Sequence, residues 1–238
     1  ADRCLTLAMM SMSCITAAMV GIYTKMMPGE FIITAIPLNV INALIVTNIL
    51  HPVKIAEEED TVARVNDGGQ EREPFFSFLG NSILGAGRLI LIICANVIAF
   101  VALAKLIDML LIIVHPALTL ENILGCIMFP FAWLMGLDTG EAFQLGQYMG
   151  TKLVTNEFVV MLNVQDVLGE FSRHMQGVLT VFVTSFANFS TLGMIIGCFK
   201  GLVDDSKNEL ISRNVGYMLL SGILVSLLSA GIAGMFIW

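Results

Sequence analysis

Glu157 is the residue of this chain whose chemistry most needs explaining. It lies in the run Gly150-Thr151-Lys152-Leu153-Val154-Thr155-Asn156-Glu157-Phe158, with apolar residues beyond it. The only nearby opposite charge is Lys152, five positions earlier, whereas a regular helix brings together residues three or four apart. A lone carboxylate in such a stretch must face a water-filled cavity, a bound solute, or a helix break whose free amides solvate it. A second cluster, Ser185-Phe186-Ala187-Asn188-Phe189-Ser190-Thr191-Leu192-Gly193, sets small and polar residues in the middle of an apolar run. Ser and Thr compete for backbone hydrogen bonds and Gly adds chain entropy, so a helix weakens locally there. Alone, the cluster reads equally as helix packing or as a site. Paired with Glu157, it supplies donors and acceptors suited to a small polyhydroxylated solute held at interrupted helices.

The other polar residues within apolar stretches have plainer readings. Lys105 and Asp108 stand one helical turn apart and predict a structural salt bridge. Asn39, Asn42 and Asn96 are amides of the kind that bond between helices. Five cysteines (Cys4, Cys14, Cys94, Cys126, Cys198) show no C-x-x-C spacing and read as small packed hydrophobes. His51, His115 and His174 are far apart in the chain and assemble no zinc motif, so neither a metal nor a cofactor is expected. An intramembrane enzyme would need a second catalytic group beside Glu157. Asp166 is about 13 Å further along a straight helix, too far for a direct pair, so no catalytic role is assigned.

The elements that position these residues follow from composition. Of 238 residues 57% are hydrophobic and 13% charged, with a mean hydropathy of +0.85. A soluble domain carries about twice that charged share. A membrane span takes about 20 apolar residues, and the chain offers six or seven such stretches. The net charge is −7 with the acidic excess in one loop, which leaves no basic surface for nucleic acid. Alternating strands of about ten residues are not evident, which argues against a β-barrel.

In order, residues 1–50 hold two membrane helices, at 5–23 and 31–50. Residues 51–74 form an acidic solvated linker containing Glu57-Glu58-Glu59-Asp60. Residues 75–116 give a mixed segment at 75–87, read as interfacial or as the start of the next helix, and a long membrane helix ending at His115-Pro116, where proline biases the chain out of helix. Residues 117–238 begin with an apolar stretch broken at Phe129-Pro130, which hydropathy reads as either a kinked span or a re-entrant hairpin. The hairpin is the expectation, turning near Phe129-Pro130 with arms of about 10 residues, half the hydrocarbon thickness. Interrupted helices over 142–167 and 178–199 follow, then a charged connection over 200–213 and a final membrane helix over 215–238. Rows of small residues four apart, Gly193, Gly197 and Gly201, then Gly222, Ser226, Ala230 and Gly234, predict close helix contacts. The fold class is an all-α integral membrane protein, a polytopic helix bundle with a re-entrant hairpin and interrupted helices.

At three motifs the chain resembles the concentrative nucleoside transporter family. The Gly150 to Val159 run is similar to that family's G-x-K-x-x-x-N-E-F-V segment, and Phe186 to Gly193 to its G-F-A-N-x-S-S-x-G segment. The stretch around Pro130-Phe131-Ala132-Trp133-Leu134-Met135-Gly136 resembles the second re-entrant hairpin. Order and spacing agree, with weaker likeness from the first helix to the last. The resemblance implies nucleoside uptake across the plasma (inner) membrane by a multi-pass, proton- or sodium-coupled symporter working by alternating access, trimeric in the family. It also implies that Glu157 and Asn188 bond the ribose hydroxyls, with Thr191 where the family often has serine and Phe186 walling the site. Asn156 and Ser190 fall within the same two motifs and complete the substrate-binding set. Ser185 stands where the family usually has glycine, and Cys14 lies near a serine that helps to hold sodium in some members. The family's Gln-(Ser/Thr)-Glu signature of the first hairpin, which reads the nucleobase, is absent from this sequence. The likeness is therefore to the carboxy-terminal portion. The alternative reading is a non-transporting membrane sensor or assembly module on the same fold.

Overall fold

The computed structural model describes residues 2–15, 17–54, 74–200 and 203–238, and among these the regular elements are helices without a strand. They are α1 (Asp2–Ser11), α2 (Ala17–Tyr23), α3 (Gly29–Leu50), α4 (Phe75–Val114), α5 (Leu120–Leu134), α6 (Thr139–Val154), α7 (Glu157–Val164), α8 (Arg173–Val183), α9 (Phe189–Lys200), α10 (Asp205–Arg213) and α11 (Val215–Gly234). A single 3-10 turn, Leu168–Glu170, links α7 to α8.

Helices α3 and α11 are the scaffold. Among the described residues they are the two long and apolar enough to cross a membrane, at 22 and 20 residues. That gives about 33 and 30 Å of helix, the thickness of a hydrocarbon core. They lie against each other and against α8. Lipid is as apolar as a leucine surface and gives helices no reason to associate, so polar contacts and small residues must fix the pairing. Asn42 Nδ2 donates to Ser229 Oγ at 2.9 Å, the Thr47 and Ser221 hydroxyls meet at 3.4 Å, and Asn39 Nδ2 donates to the Thr184 carbonyl. The amide bonding expected for Asn39 and Asn42 is thus present. The side chain of Asn96 lies outside the described residues. The row Gly222, Ser226, Ala230 and Gly234 does face neighbours, since a Cβ at Gly222 would stand 2.8 Å from Ala187 Cβ and 3.1 Å from Met12 Cβ. The companion row does not behave alike, because Gly197 of α9 faces open space.

Three expectations from sequence need correction. The stretch 5–23 is not one helix: residues 12–15 are non-helical and separate α1 from α2. Of the two readings of 75–87, the start of the next helix is the one observed, since α4 runs unbroken for 40 residues from Phe75. No proline interrupts it, and glycines at 80, 85 and 87 weaken a helix by only about 1 kcal/mol each. Asp108 does not pair with Lys105 among the described residues. Its Oδ1 instead accepts the Leu120 N–H at 2.7 Å, tying α4 to the start of α5.

The third correction concerns the hairpin. Pro130 sits inside α5, which continues through it to Leu134. The turn comes at Gly136, whose φ of 94° is left-handed and suits glycine, followed by Asp138 capping α6. Helices α5 and α6 then pack antiparallel at close range. A Cβ on Gly146 would stand 2.7 Å from the Gly125 carbonyl oxygen, and one on Gly150 2.5 Å from Leu124 Cβ. Gln147 Nε2 donates to Asn122 Oδ1 at 2.7 Å across the pair. The hairpin therefore consists of α5 and α6, not of two halves of 117–137. Of the acidic linker, residues 55–73, including Glu57 to Asp60, lie outside the described residues.

Candidate functional site

Two helix interruptions build the site, and both are written in local chemistry. At the end of α6, Thr151 Oγ1 donates to the Gln147 carbonyl at 2.9 Å and Thr155 Oγ1 to the Thr151 carbonyl at 2.5 Å. Such back-bonding loosens the last turn. Thr155 and Asn156 then leave the helix, and Asn156 restarts it as the N-cap of α7, its Oδ1 accepting from Val159 N at 3.0 Å. Glu157 is therefore the first residue of a new helix, at the positive end of its dipole.

The second interruption spans residues 184–188. Thr180 and Thr184 also bond back, to Gln176 and Thr180 carbonyls, both at 2.6 Å. Carbonyls at the end of α8 find partners across the break. Phe182 O accepts from Lys152 Nζ at 2.7 Å, Val183 O from Ser185 N at 2.8 Å, and Thr184 O from Asn39. On the far side Asn188 caps α9, its Oδ1 accepting Thr191 N at 2.8 Å and Thr191 Oγ1 at 3.0 Å.

These two breaks bring Glu157 and Asn188 together. Asn188 Nδ2 donates to Glu157 Oε2 at 2.9 Å. Because two donors from Thr191 hold the amide oxygen, the NH2 group must face the carboxylate. The other carboxylate oxygen, Oε1, accepts from Tyr23 Oη at 3.0 Å. Tyr23 ends α2 and packs edge-on to Phe158 at 5.3 Å. The site is closed: Glu157 is 4% exposed, and Tyr23 and Asn188 are fully buried. Of the settings open to a lone carboxylate, the helix break is the one seen here. A groove of about 670 Å³ opens elsewhere, lined by residues that include Glu30, Phe31, Leu38, Arg173 and Ile237.

Lys152 completes the electrostatics. It is fully buried, and its ammonium donates to Phe182 O, to Ser185 Oγ at 2.6 Å and to Ser226 Oγ at 3.4 Å, with the Phe182 ring 4.5 Å away. A cation at the C-terminal end of α8 is favoured by that helix's dipole. Glu157 feels the same charge through space without forming a direct pair. Negative charge thus sits at helix starts and positive charge at a helix end.

Of the residues singled out from sequence, Glu157, Asn188 and Thr191 form one connected chain of hydrogen bonds. Thr191 reaches Glu157 only through Asn188. Asn156 is adjacent, and its Nδ2 is buried without a partner. Phe186 is half-buried within the 184–188 break, and Ser190 is buried on α9 but is not a hydrogen-bond partner of Glu157. Sequence reasoning missed Tyr23, which no spacing rule connects to a residue 134 positions away. The poor spacing of Lys152 for a pair with Glu157 holds, and the partners that Lys152 does find, Phe182, Ser185 and Ser226, lie outside any spacing along one helix. Among the described residues no group of histidine, cysteine and carboxylate side chains could hold a metal ion.

Comparison with known proteins places this geometry in context. The chain is 44% identical over 237 residues to the purine nucleoside transport protein NupG of Bacillus subtilis, covering 100% of this chain and 59% of that protein. It is 25% identical to solute carrier family 28 member 3 of Eptatretus stoutii, covering 92% of this chain and 35% of that protein. The chain thus spans under two thirds of the length of either relative. In fold it matches CNTnw in an inward-facing substrate-bound state, with a TM-score of 0.83 and 23% identity over 99% of this chain and 57% of that one. A family of transporters, not of enzymes, is indicated by its model for the Na+ dependent nucleoside transporter C-terminus, which matches residues 31–234. The chain belongs to the concentrative, Na+ dependent nucleoside transporter family, of which it carries the C-terminal part.

Proposed function

We propose that this chain forms the ribose-binding side of a nucleoside importer coupled to Na+ or H+ and working by alternating access. The observation that carries the reading is the Glu157 carboxylate, buried where α6–α7 and α8–α9 are both interrupted and bonded to Asn188 Nδ2. Each carboxylate oxygen has two lone pairs, and each is engaged here by one donor. Glu157 therefore retains acceptor capacity on both oxygens for the vicinal 2′ and 3′ hydroxyls of a ribose. Thr191 acts by fixing the Asn188 amide, while Asn156 offers its free Nδ2, and Phe186 and Ser190 line the flanking break.

A free nucleobase lacks those hydroxyls, which gives the reading its specificity. The same reading puts the carrier in the plasma membrane as a homotrimer with one pathway per protomer. Charged groups sit at helix breaks because the freed backbone groups there solvate them in lipid. Uptake of a labelled nucleoside into vesicles bearing the full-length gene product tests the proposal. Unlabelled ribonucleosides are expected to compete strongly, and 2′,3′-dideoxynucleosides and free bases weakly. Equal competition by free bases would overturn it. Replacing the Na+ gradient with a pH gradient identifies the coupling ion.

A further inference from the structure

We propose that Tyr23 is an internal stand-in for a ribose hydroxyl, holding Glu157 while the transporter crosses the membrane without substrate. The inference rests on the ribose reading above and adds a step to it. Tyr23 presents a single O–H donor to Glu157 Oε1 at 3.0 Å, the same chemistry that a sugar hydroxyl brings. The residue is fully buried, at the end of the short helix α2, with its ring set edge-on against Phe158 at 5.3 Å and 72°. Nothing in that setting requires a hydroxyl for packing, because phenylalanine would fill the same volume. The hydroxyl's partner is the carboxylate.

An alternating-access importer must return empty after each delivery. On that step the ribose donors are gone, and Glu157 would move through a dry interior with one oxygen unsatisfied. A buried charge without its hydrogen bonds is strongly disfavoured. Tyr23 supplies the missing donor from the protein itself, and Asn188 serves the second oxygen throughout. The loaded crossing does not need Tyr23, since the substrate then brings its own hydroxyls. Empty return and loaded exchange should therefore depend on Tyr23 to different degrees, which a purely structural role would not produce.

The test is Tyr23→Phe in the full-length gene product reconstituted into vesicles. Net uptake into vesicles without internal nucleoside requires the empty return, and it should slow about tenfold, the equivalent of one lost hydrogen bond to a charged group. Exchange of external labelled nucleoside for internal unlabelled nucleoside should stay within about twofold of wild type. Equilibrium binding to the purified protein should be unchanged or tighter. Equal slowing of uptake and exchange, or no slowing of either, would overturn the proposal. If the variant does not reach the membrane, 3-fluorotyrosine at position 23 keeps the shape and strengthens the donor. It should raise the KM of net uptake, and an unchanged KM would overturn the proposal in its place. Failure of the ribose reading itself shows separately, as wild-type protein that does not distinguish ribonucleosides from 2′,3′-dideoxynucleosides.

Discussion

Replacing Glu157 with Gln tests the site at its centre, because the surrounding bonds leave the new side chain a single arrangement, one that strands the Tyr23 O–H. Glu157 accepts from Tyr23 on one oxygen and from Asn188 on the other. A glutamine has one acceptor oxygen and one NH2 donor, so it must turn its oxygen to Asn188 Nδ2 and its NH2 to Tyr23 Oη, which then accepts and leaves its own O–H without the carboxylate. If its oxygen turns to Tyr23, its NH2 meets the Asn188 NH2. The Asn188 amide cannot flip to relieve this, because Thr191 N and Oγ1 both hold its oxygen, at 2.8 and 3.0 Å. The substitution also removes the charged acceptor for the ribose, worth about 1.5 to 3 kcal/mol per bond. Apparent affinity for a ribonucleoside should fall on the order of tenfold or more. The assay is a cycle in the full-length gene product: wild type and Glu157→Gln, each against a ribonucleoside and its 2′,3′-dideoxy analogue. Both changes remove one shared interaction, so their penalties should not add. Full additivity would refute the assignment and leave Glu157 with a coupling or structural role.

Three further outcomes follow from the packing. Lys152→Met keeps the side-chain volume but leaves the Phe182 carbonyl buried without its donor, and should destabilise the protein by about 1 to 3 kcal/mol in detergent unfolding; an unchanged midpoint would show that the ammonium does not hold the end of α8. Gly146→Ala should cost about 1 to 3 kcal/mol, because its Cβ would stand 2.7 Å from the Gly125 carbonyl oxygen, whereas Gly197→Ala, in open space on α9, should be neutral or stabilising. Equal effects at the two glycines, read by the same unfolding assay, would remove the close α5–α6 approach as their cause. In the exposed connection before α10, bonds from the Lys207 ammonium, then the Ser206 hydroxyl and the Lys207 N–H, hold the Asp204 carboxyl below the usual carboxylate range. Its folded-state value being lowered, the cap's contribution is present above the ordinary carboxylate range and is lost as pH falls through the lowered value; carboxyl NMR of Asp204 should show that depressed midpoint, and an ordinary one would refute it.

Local chemistry made much of this protein legible in its sequence. Long apolar runs set α3 and α11, because lipid-facing backbone has to bond within its own helix. The Ser, Asn and Thr of residues 185–191 marked one interruption, since Ser and Thr side chains compete with helical hydrogen bonds, and the unpaired carboxylate of Glu157 pointed to the other. Glu157 stood out for the same kind of reason: a lone carboxylate at that depth has to be answered by something. What answers it was decided only in three dimensions. Tyr23 comes from 134 residues away, and Lys152 finds its partners across α8 and α11 instead of along its own helix. Pro130 misplaced the hairpin turn, because a proline removes one helical bond and a packed neighbour can make up that loss. The turn went instead to Gly136, where a left-handed φ is needed. Gly125, Gly146 and Gly150 carry no signal until α6 lies against α5, while Gly197 carries one that no neighbour uses. Sequence spacing reports contacts along one helix, and this site is made where separate helices break beside one another.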